Sequence, residues 1–275
     1  MISVFGATGF IGTEFCRQFA NRFVQIKENP IPHTNEILFL ISTVDNYNVL
    51  TDPYVDIYTN EIMTIKVLEE ARKKFGNDFT FNFVSTWFVY GDTVLPAREN
   101  FVGHPKGFYS ITKLAGEQLV SSYCETFGAR YRILRLGSVL GVGDKKASLY
   151  KNAIQFLISE IAQNKKVEIY KDPSYRDIID VRDCVKAIEM VLHSNKYNEI
   201  INIGNGEAVN VRALLDKVAK DLGKKRNVSY IEVPEFHKQV QSKEFVMDIS
   251  KIVGMGYWRM YELDKTVDWI ISQYE

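Results

Sequence analysis

Tyr109 and Lys113 stand four residues apart, and no other pair in the sequence is so well placed to move a proton. On a helix that spacing puts both side chains on one face. A free phenol has a pKa near ~10, too high for an efficient base at neutral pH, and a fall of ~3 units needs about 4 kcal/mol of stabilisation. A neighbouring ammonium in a dry site supplies stabilisation of that order, which makes Tyr109 a general acid/base. The same spacing recurs at Tyr261 and Lys265. Position separates the two pairs. Tyr109 follows the third clear strand, within reach of the carboxyl edge where α/β sheets bind ligands. Tyr261 stands at the mouth of the last helix and reads as a structural aromatic.

A hydroxyl and a glycine loop complete the chemistry. The apolar run Phe79–Val84 ends in Ser85-Thr86-Trp87-Phe88-Val89-Tyr90-Gly91, and a hydroxyl at that strand end can hold a substrate oxygen against Tyr109. Directly after the first strand comes Gly6-Ala7-Thr8-Gly9-Phe10-Ile11-Gly12. Glycines there let the backbone turn and approach a pyrophosphate, at which the following helix points its N–H groups. Strand, loop and amphipathic helix together predict dinucleotide binding. Glu28 could serve the adenosine ribose, whereas Lys27 and Arg22 could instead meet a 2′-phosphate, so NAD and NADP both stay open.

These residues need a frame. Ile2–Phe5, Ile37–Ile41, Phe79–Val84 and Tyr131–Leu136 read as buried parallel strands. Between them Ile11–Asn21, Glu61–Lys74 and Ser110–Phe127 read as helices, with Ile11, Phe15 and Phe19 on one face. The alternation predicts an α/β, Rossmann-like doubly wound sheet with a smaller C-terminal substrate domain. The expected division is 1–140 for the dinucleotide and 141–275 for the substrate, with 177–204 packing back on the first domain. In the second half, helices are expected over Ser148–Gln163, Arg182–His193 and Val211–Leu222, a strand over Ile200–Ile203, and a polar stretch over Tyr170–Arg176. The tail after Lys224 shows no period until Leu263–Gln273. Lys+Arg and Asp+Glu balance at 34 each, so no global field favours nucleic acid or an anionic membrane. The three cysteines and four histidines are scattered without metal-ligand spacing, and no metal is expected. Met1 runs directly into Ile2–Phe5 with no basic leader and no apolar run approaches a membrane span, so a cytoplasmic protein is expected.

In their order along the chain, these segments resemble the extended short-chain dehydrogenase/reductase family of nucleotide-sugar epimerases, dehydratases and ketoreductases. Gly6–Gly12 is similar to its cofactor loop, Asn60–Arg72 to its Asn-led helix, Ser85–Gly91 to its Ser-Ser-x-x-Val-Tyr-Gly strand end, and Tyr109–Lys113 to its Tyr-x-x-x-Lys. Arg135–Asp144, Tyr175–Asp183 and Asn202–Gly206 are similar to later family segments. The resemblance implies Thr86, Tyr109 and Lys113 as the catalytic set and NAD or NADP as cofactor. It implies cofactor contacts from Gly6, Thr8, Gly9, Phe10, Ile11, Gly12, Lys27, Glu28, Ile41, Ser42, Asn60, Leu136, Tyr109 and Lys113. For a nucleotide-sugar substrate it implies Thr86, Trp87, Phe88, Ser138 and Arg176, the last on the diphosphate.

The chain departs from the family pattern in three ways. The segment between Gly12 and Ile37 is short, so a helix and a strand that flank the adenine are missing and the sheet is shortened after its first βα unit. Trp87 and Phe88 stand where the dehydratases carry Asp-Glu, so loss of water is not expected. Ser138 and Leu140 replace an Asn and a Tyr that meet the sugar. The expected function is a nucleotide-sugar 4-ketoreductase, with a 4-epimerase holding NAD tightly, or a non-catalytic dinucleotide sensor, as alternatives. A homodimer through the Ser110–Phe127 helix is the expected assembly.

Overall fold

The computed structural model describes residues 1–20, 23–26 and 30–274, with the backbone alone for 23–26. Arg22, Lys27 and Glu28, the residues weighed for the adenosine ribose, lie outside the described residues. The chain opens with β1 (Ile2–Phe5), α1 (Phe10–Gln18), β2 (Phe23–Ile26) and β3 (Glu36–Phe39). Next come α2 (Tyr54–Ile57), α3 (Met63–Phe75), β4 (Thr80–Thr86), α4 (Phe108–Phe127) and β5 (Arg130–Leu136). The second half holds β6 (Ser138–Leu140), α5 (Ala153–Ala162), β7 (Val167–Tyr170), β8 (Tyr175–Asp180), α6 (Val181–Leu192) and β9 (Glu199–Ile203). It ends with β10 (Ala208–Asn210), α7 (Val211–Asp221), β11 (Val228–Ile231), α8 (Glu235–Val240), α9 (Ser250–Gly254) and α10 (Leu263–Ile271).

The main sheet has the order β2-β1-β3-β4-β5-β9, every pairing parallel. Parallel strands need crossovers, and here the crossovers cover both faces, so β4 (TFNFVST) is buried along its whole length. One face packs against α1, α6 and α9 through Phe15, Cys184, Ile188 and Ile252. The other packs against α3 and α4 around Phe39, whose ring lies 6.0 Å from Phe5, 5.5 Å from Phe81 and 6.1 Å from Phe83. Aromatic pairs of this kind add ~0.5–1.5 kcal/mol each beyond their burial. Beyond β2 the sheet has no further strand among the described residues, so the adenine end is short, as the spacing of the sequence requires. A separate core holds α5, α7 and α10 against β7 and β8. No helix among the described residues is long and apolar enough to cross a membrane.

Several sequence expectations need correction. The helix before β4 starts two turns early, at Tyr54, and runs through an i→i+5 turn at Tyr58–Ile62, so Asn60 sits inside the helix instead of leading it. Residues 148–152 are not helical; Asn152, at φ 52°, sets the start of α5. The polar stretch Tyr170–Arg176 joins two strands, its ends belonging to β7 and β8. The tail after Lys224 contains β11, α8 and α9, each held by partners far away in sequence and too short to show a period.

Candidate active site

Four strands deliver the candidate residues to one edge. β1 runs into Gly6, β3 into Ile41 and Ser42, β4 ends at Thr86, and β5 ends at Leu136. Gly6 turns at φ +84°, and a Cβ on Gly12 would fall 2.2 Å from the Gly6 carbonyl oxygen, so only glycine lets α1 start this close to the strand. Gly9 caps α1 with no side chain, and no acid occupies the first turn. The unpaired first-turn N–H groups and the positive end of the helix dipole therefore face an exposed surface at Thr8 and Gly9, an arrangement that suits an anion. Phe10 and Ile11 are half-buried beside it, and Ile41 lies partly buried over the aromatic core.

The α4 residues Tyr109, Thr112, Lys113, Gly116, Glu117, Val120 and Cys124 form one buried face. Gly116 lets the helix approach closely, since a Cβ there would stand 2.9 Å from the Phe83 ring and 3.0 Å from the Asn60 carbonyl. The hydroxyls of Thr86 and Ser42 lie beside the Tyr109 phenol and act to lower its pKa. Burial pushes that pKa up to about 12, and the two hydroxyls offset the rise only in part. The pull from Lys113 that the spacing predicted does not govern the phenol here. Lys113 is buried, donates to the Val84 carbonyl at 2.8 Å and lies 3.9 Å from the centre of the Phe83 ring. Desolvation lowers its pKa to about 7, partly opposed by Glu117. The site thus holds a neutral phenol beside a lysine that gives up its proton easily.

Glu117 in turn grips Arg135, which donates Nη2 at 2.6 Å and Nε at 3.0 Å, and it also accepts the Ser85 hydroxyl. Trp87, stacked 4.0 Å from Phe88 and 4.7 Å from Phe245, forms an aromatic wall with no proton-carrying group. Arg176 lies across the Trp87 ring at 5.0 Å. Its Nη1 donates to the carbonyls of Tyr175 and Lys243, and its Nη2 to Gln241 Oε1. Among the described residues no carboxylate pairs with it, and burial lowers its pKa to about 10. Ser138 is half-buried in β6, paired with Ile178, and Leu136 is buried in the core under the edge.

The structure therefore gathers Ser42, Asn60, Thr86, Tyr109 and Lys113 at one place, with Arg176 across the Trp87–Phe88 wall. Tyr261 is elsewhere: its ring covers the Arg182 guanidinium at 3.6 Å, and Lys265 projects from the surface. Reading the sequence overlooked Thr43, Asp56, Glu117 and Gln241. Two of these carry a spacing signal. Glu117 is one helical turn after Lys113, and Asp56 one turn before Asn60. Gln241 comes from the tail and carries none.

Comparison with known proteins places this geometry. The model of the NAD dependent epimerase/dehydratase family matches residues 32–204, well over half of the chain, and starts beyond the shortened cofactor segment. The chain is 29% identical to an uncharacterized UDP-glucose epimerase of Bacillus subtilis, over 83% of this chain and 77% of that one. It is 24% identical to the GDP-6-deoxy-D-mannose reductase of Pseudomonas aeruginosa, over 78% of each. Among solved structures, RMD from Pseudomonas aeruginosa complexed with NADPH superimposes with a TM-score of 0.86 at 19% identity, covering 100% of this chain and 98% of that one, a likeness of fold. Relatives of more than one activity share the same scaffold and order of segments. By the extent of the family match and the sheet that carries it, this chain belongs to the NAD-dependent epimerase/dehydratase family.

Proposed function

We propose that this protein is an NAD(P)-dependent oxidoreductase acting on a nucleotide sugar as a 4-ketoreductase. The observation that carries the reading is Tyr109 buried beside Thr86 at the carboxyl edge of the sheet, where burial pushes its pKa up to about 12. Reducing a ketone needs an acid at the oxygen, and a phenol held neutral is that acid. The residues fit a dinucleotide: the glycine-only cradle at Gly6 and Gly12 takes the pyrophosphate with Thr8, Gly9, Phe10 and Ile11, while Ile41, Ser42, Asn60, Leu136, Tyr109 and Lys113 take the nicotinamide end. When bound, the cofactor supplies the hydride. Thr86 holds the keto oxygen, Tyr109 gives it the phenolic proton, and Lys113 bonds the cofactor ribose. Arg176, a buried guanidinium without a carboxylate, takes the substrate diphosphate, since an uncompensated buried charge favours an anionic ligand. Trp87, Phe88 and Ser138 line the sugar. Dehydration is disfavoured because the Trp87–Phe88 wall offers no acid or base.

The similarity to a UDP-glucose epimerase favours a second reading, a 4-epimerase that keeps its NAD. Purified protein incubated with NADPH or NADH and a panel of UDP-, GDP- and dTDP-4-keto-6-deoxy sugars separates the two. Loss of reduced-nicotinamide absorbance supports the reductase. Retained NAD with interconversion of C4 epimers supports the epimerase. Nicotinamide bound but neither consumed nor accompanied by epimerisation supports the dinucleotide sensor, and no nicotinamide bound or consumed refutes both enzyme readings.

The same reading assigns residues 1–140 to the dinucleotide and 141–275 to the substrate, with 177–204 returning to the first unit, in line with β9 in the main sheet and α6 on its face. We place the protein in the cytoplasm, where its three scattered, buried cysteines stay reduced. A homodimer through α4 is supported by the exposed apolar side chains Ile111, Tyr58 and Ile62 on α4 and the neighbouring helical turns.

A further inference from the structure

A run of buried and half-buried polar groups connects Tyr109 to a carboxylate that proton transfer to substrate leaves unused. Asp56 of α2 is fully buried, and its Oδ2 has no partner among the described residues. Its Oδ1 accepts the Thr43 hydroxyl and the Asn48 amide, the latter at 3.0 Å. Thr43 Oγ1 in turn accepts Asn60 Nδ2 at 2.8 Å, and the same amide nitrogen donates to Thr112 Oγ1 at 3.0 Å. Asn60 Oδ1 accepts the Thr43 backbone N–H at 3.2 Å and the Ser42 hydroxyl at 3.1 Å. Ser42 reaches the phenol of Tyr109.

Burial raises the Asp56 pKa, and the bonds from Thr43 and Asn48 oppose that rise. In its ionised form the carboxylate only accepts, so the Thr43 proton then points to Asp56 and its lone pair is left for the Asn60 amide nitrogen. Thr112 gives its own proton to the Tyr109 carbonyl at 3.0 Å, so it too can only accept from Asn60. The Asn60 oxygen is thereby turned to Ser42. With two acceptors behind it, Asn60 Oδ1 and the Thr43 carbonyl, the Ser42 hydroxyl can give its proton to either while the phenol is neutral. It can turn that proton to Tyr109 once the phenol has lost its own. No heavy atom need move. The i→i+5 turn at Tyr58–Ile62 brings Asn60 into this position, and such turns recur at functional sites.

We propose that Asp56 is a positioning residue for Tyr109, acting through Thr43 to lock the Asn60 amide so that Ser42 serves the phenol in both of its protonation states. The proposal rests on the oxidoreductase reading above. Charge adds to orientation: Asp56 and Asp45 are the acids that act on Tyr109, and both favour its protonated form. On its own helix Tyr109 shares a face with Lys113, and the Glu117–Arg135 pair beyond is internally neutralised. From the C-terminal half, Arg176 is connected to it only through the rings of Trp87 and Phe88.

Two measurements test this. Tyrosine labelled isotopically at Cζ, with the Tyr109 resonance assigned by Tyr109→Phe, is titrated by NMR without ligand in wild type, Asp56→Asn and Thr43→Val. The expected result is a fall in the Tyr109 midpoint of at least ~0.5 unit in Asp56→Asn and a smaller change in Thr43→Val, where the charge remains. With a sugar nucleotide that the wild type reduces, Thr43→Val should lower kcat about tenfold with KM nearly unchanged, and Thr43→Ser should restore it. An unchanged midpoint in folded Asp56→Asn, or wild-type kcat in Thr43→Val, overturns the proposal. A wild type that turns over nothing in the panel refutes the functional reading instead, and the titration still decides this one.

Discussion

Exchanging Glu117 for Gln takes one charge from an enclosed ion pair directly behind the candidate acid. Glu117 and Arg135 are each about 3% exposed at the side chain. The carboxylate receives Arg135 Nη2 at 2.6 Å and Nε at 3.0 Å, together with the Ser85 hydroxyl. Beyond Glu117, Tyr90 is the group that acts on Arg135, its ring 4.5 Å from the guanidinium, and among the described residues Nη1 is buried without a partner. Removing one member of such a pair leaves a desolvated cation, a loss of about 3–5 kcal/mol. A loss of that size lowers the melting temperature of a chain this long by on the order of 10 °C. Urea unfolding followed by circular dichroism gives the difference directly. The double exchange Glu117→Leu with Arg135→Met removes both charges, and it should recover stability to within about 1 kcal/mol of wild type because an apolar pair carries no desolvation penalty. A loss under about 1 kcal/mol in Glu117→Gln, or a double variant no better than the two singles added, would refute this account.

Tyr109→Phe should leave dinucleotide binding nearly intact and lower turnover by at least ~10², with Tyr261→Phe at wild-type activity as the internal control; equal rates in the two variants would remove Tyr109 from its role. Lys113 gives a pH signature. Its folded pKa of about 7 lies below the ordinary lysine value, so between the two the unfolded chain holds the extra proton and stability climbs with pH, by up to ~1.4 kcal/mol per unit, and is lost again as pH falls toward 7. The slope should flatten in Lys113→Met, and denaturant midpoints measured from neutral to alkaline pH check it. Arg176→Met should match or exceed wild-type thermal stability, because a buried unpaired guanidinium is a cost to the fold, yet weaken UDP or GDP binding by about tenfold or more in calorimetry. Unchanged nucleoside diphosphate affinity would exclude Arg176 from the diphosphate site.

Much of this was readable from local order. Strands β1, β3, β4 and β5 are short, largely apolar runs in a parallel sheet buried on both faces, a pattern that shows in the sequence because every position past the first of β3 and β5 is covered. The glycine loop and the Tyr109–Lys113 spacing were equally legible, since a close backbone approach and a shared helix face each leave a fixed trace in residue type or interval. So was the shortened sheet, because the segment from Gly12 to β3 holds too few residues for another strand and helix. The sequence alone therefore determined the fold class, the tight glycine turn before α1 and which hydroxyl, phenol and amine lie together. It could not determine their protonation. The spacing argued for a tyrosine drawn toward phenolate by Lys113, while burial, which depends on everything packed around α4, leaves the phenol neutral and lowers the lysine's pKa. Nor did local order reveal Asp56 behind Thr43 and Asn60, or the carbonyls and Gln241 around Arg176. Those contacts join segments far apart in the chain, and only packing the sheet, its helices and the C-terminal tail together brings them within a hydrogen bond of one another.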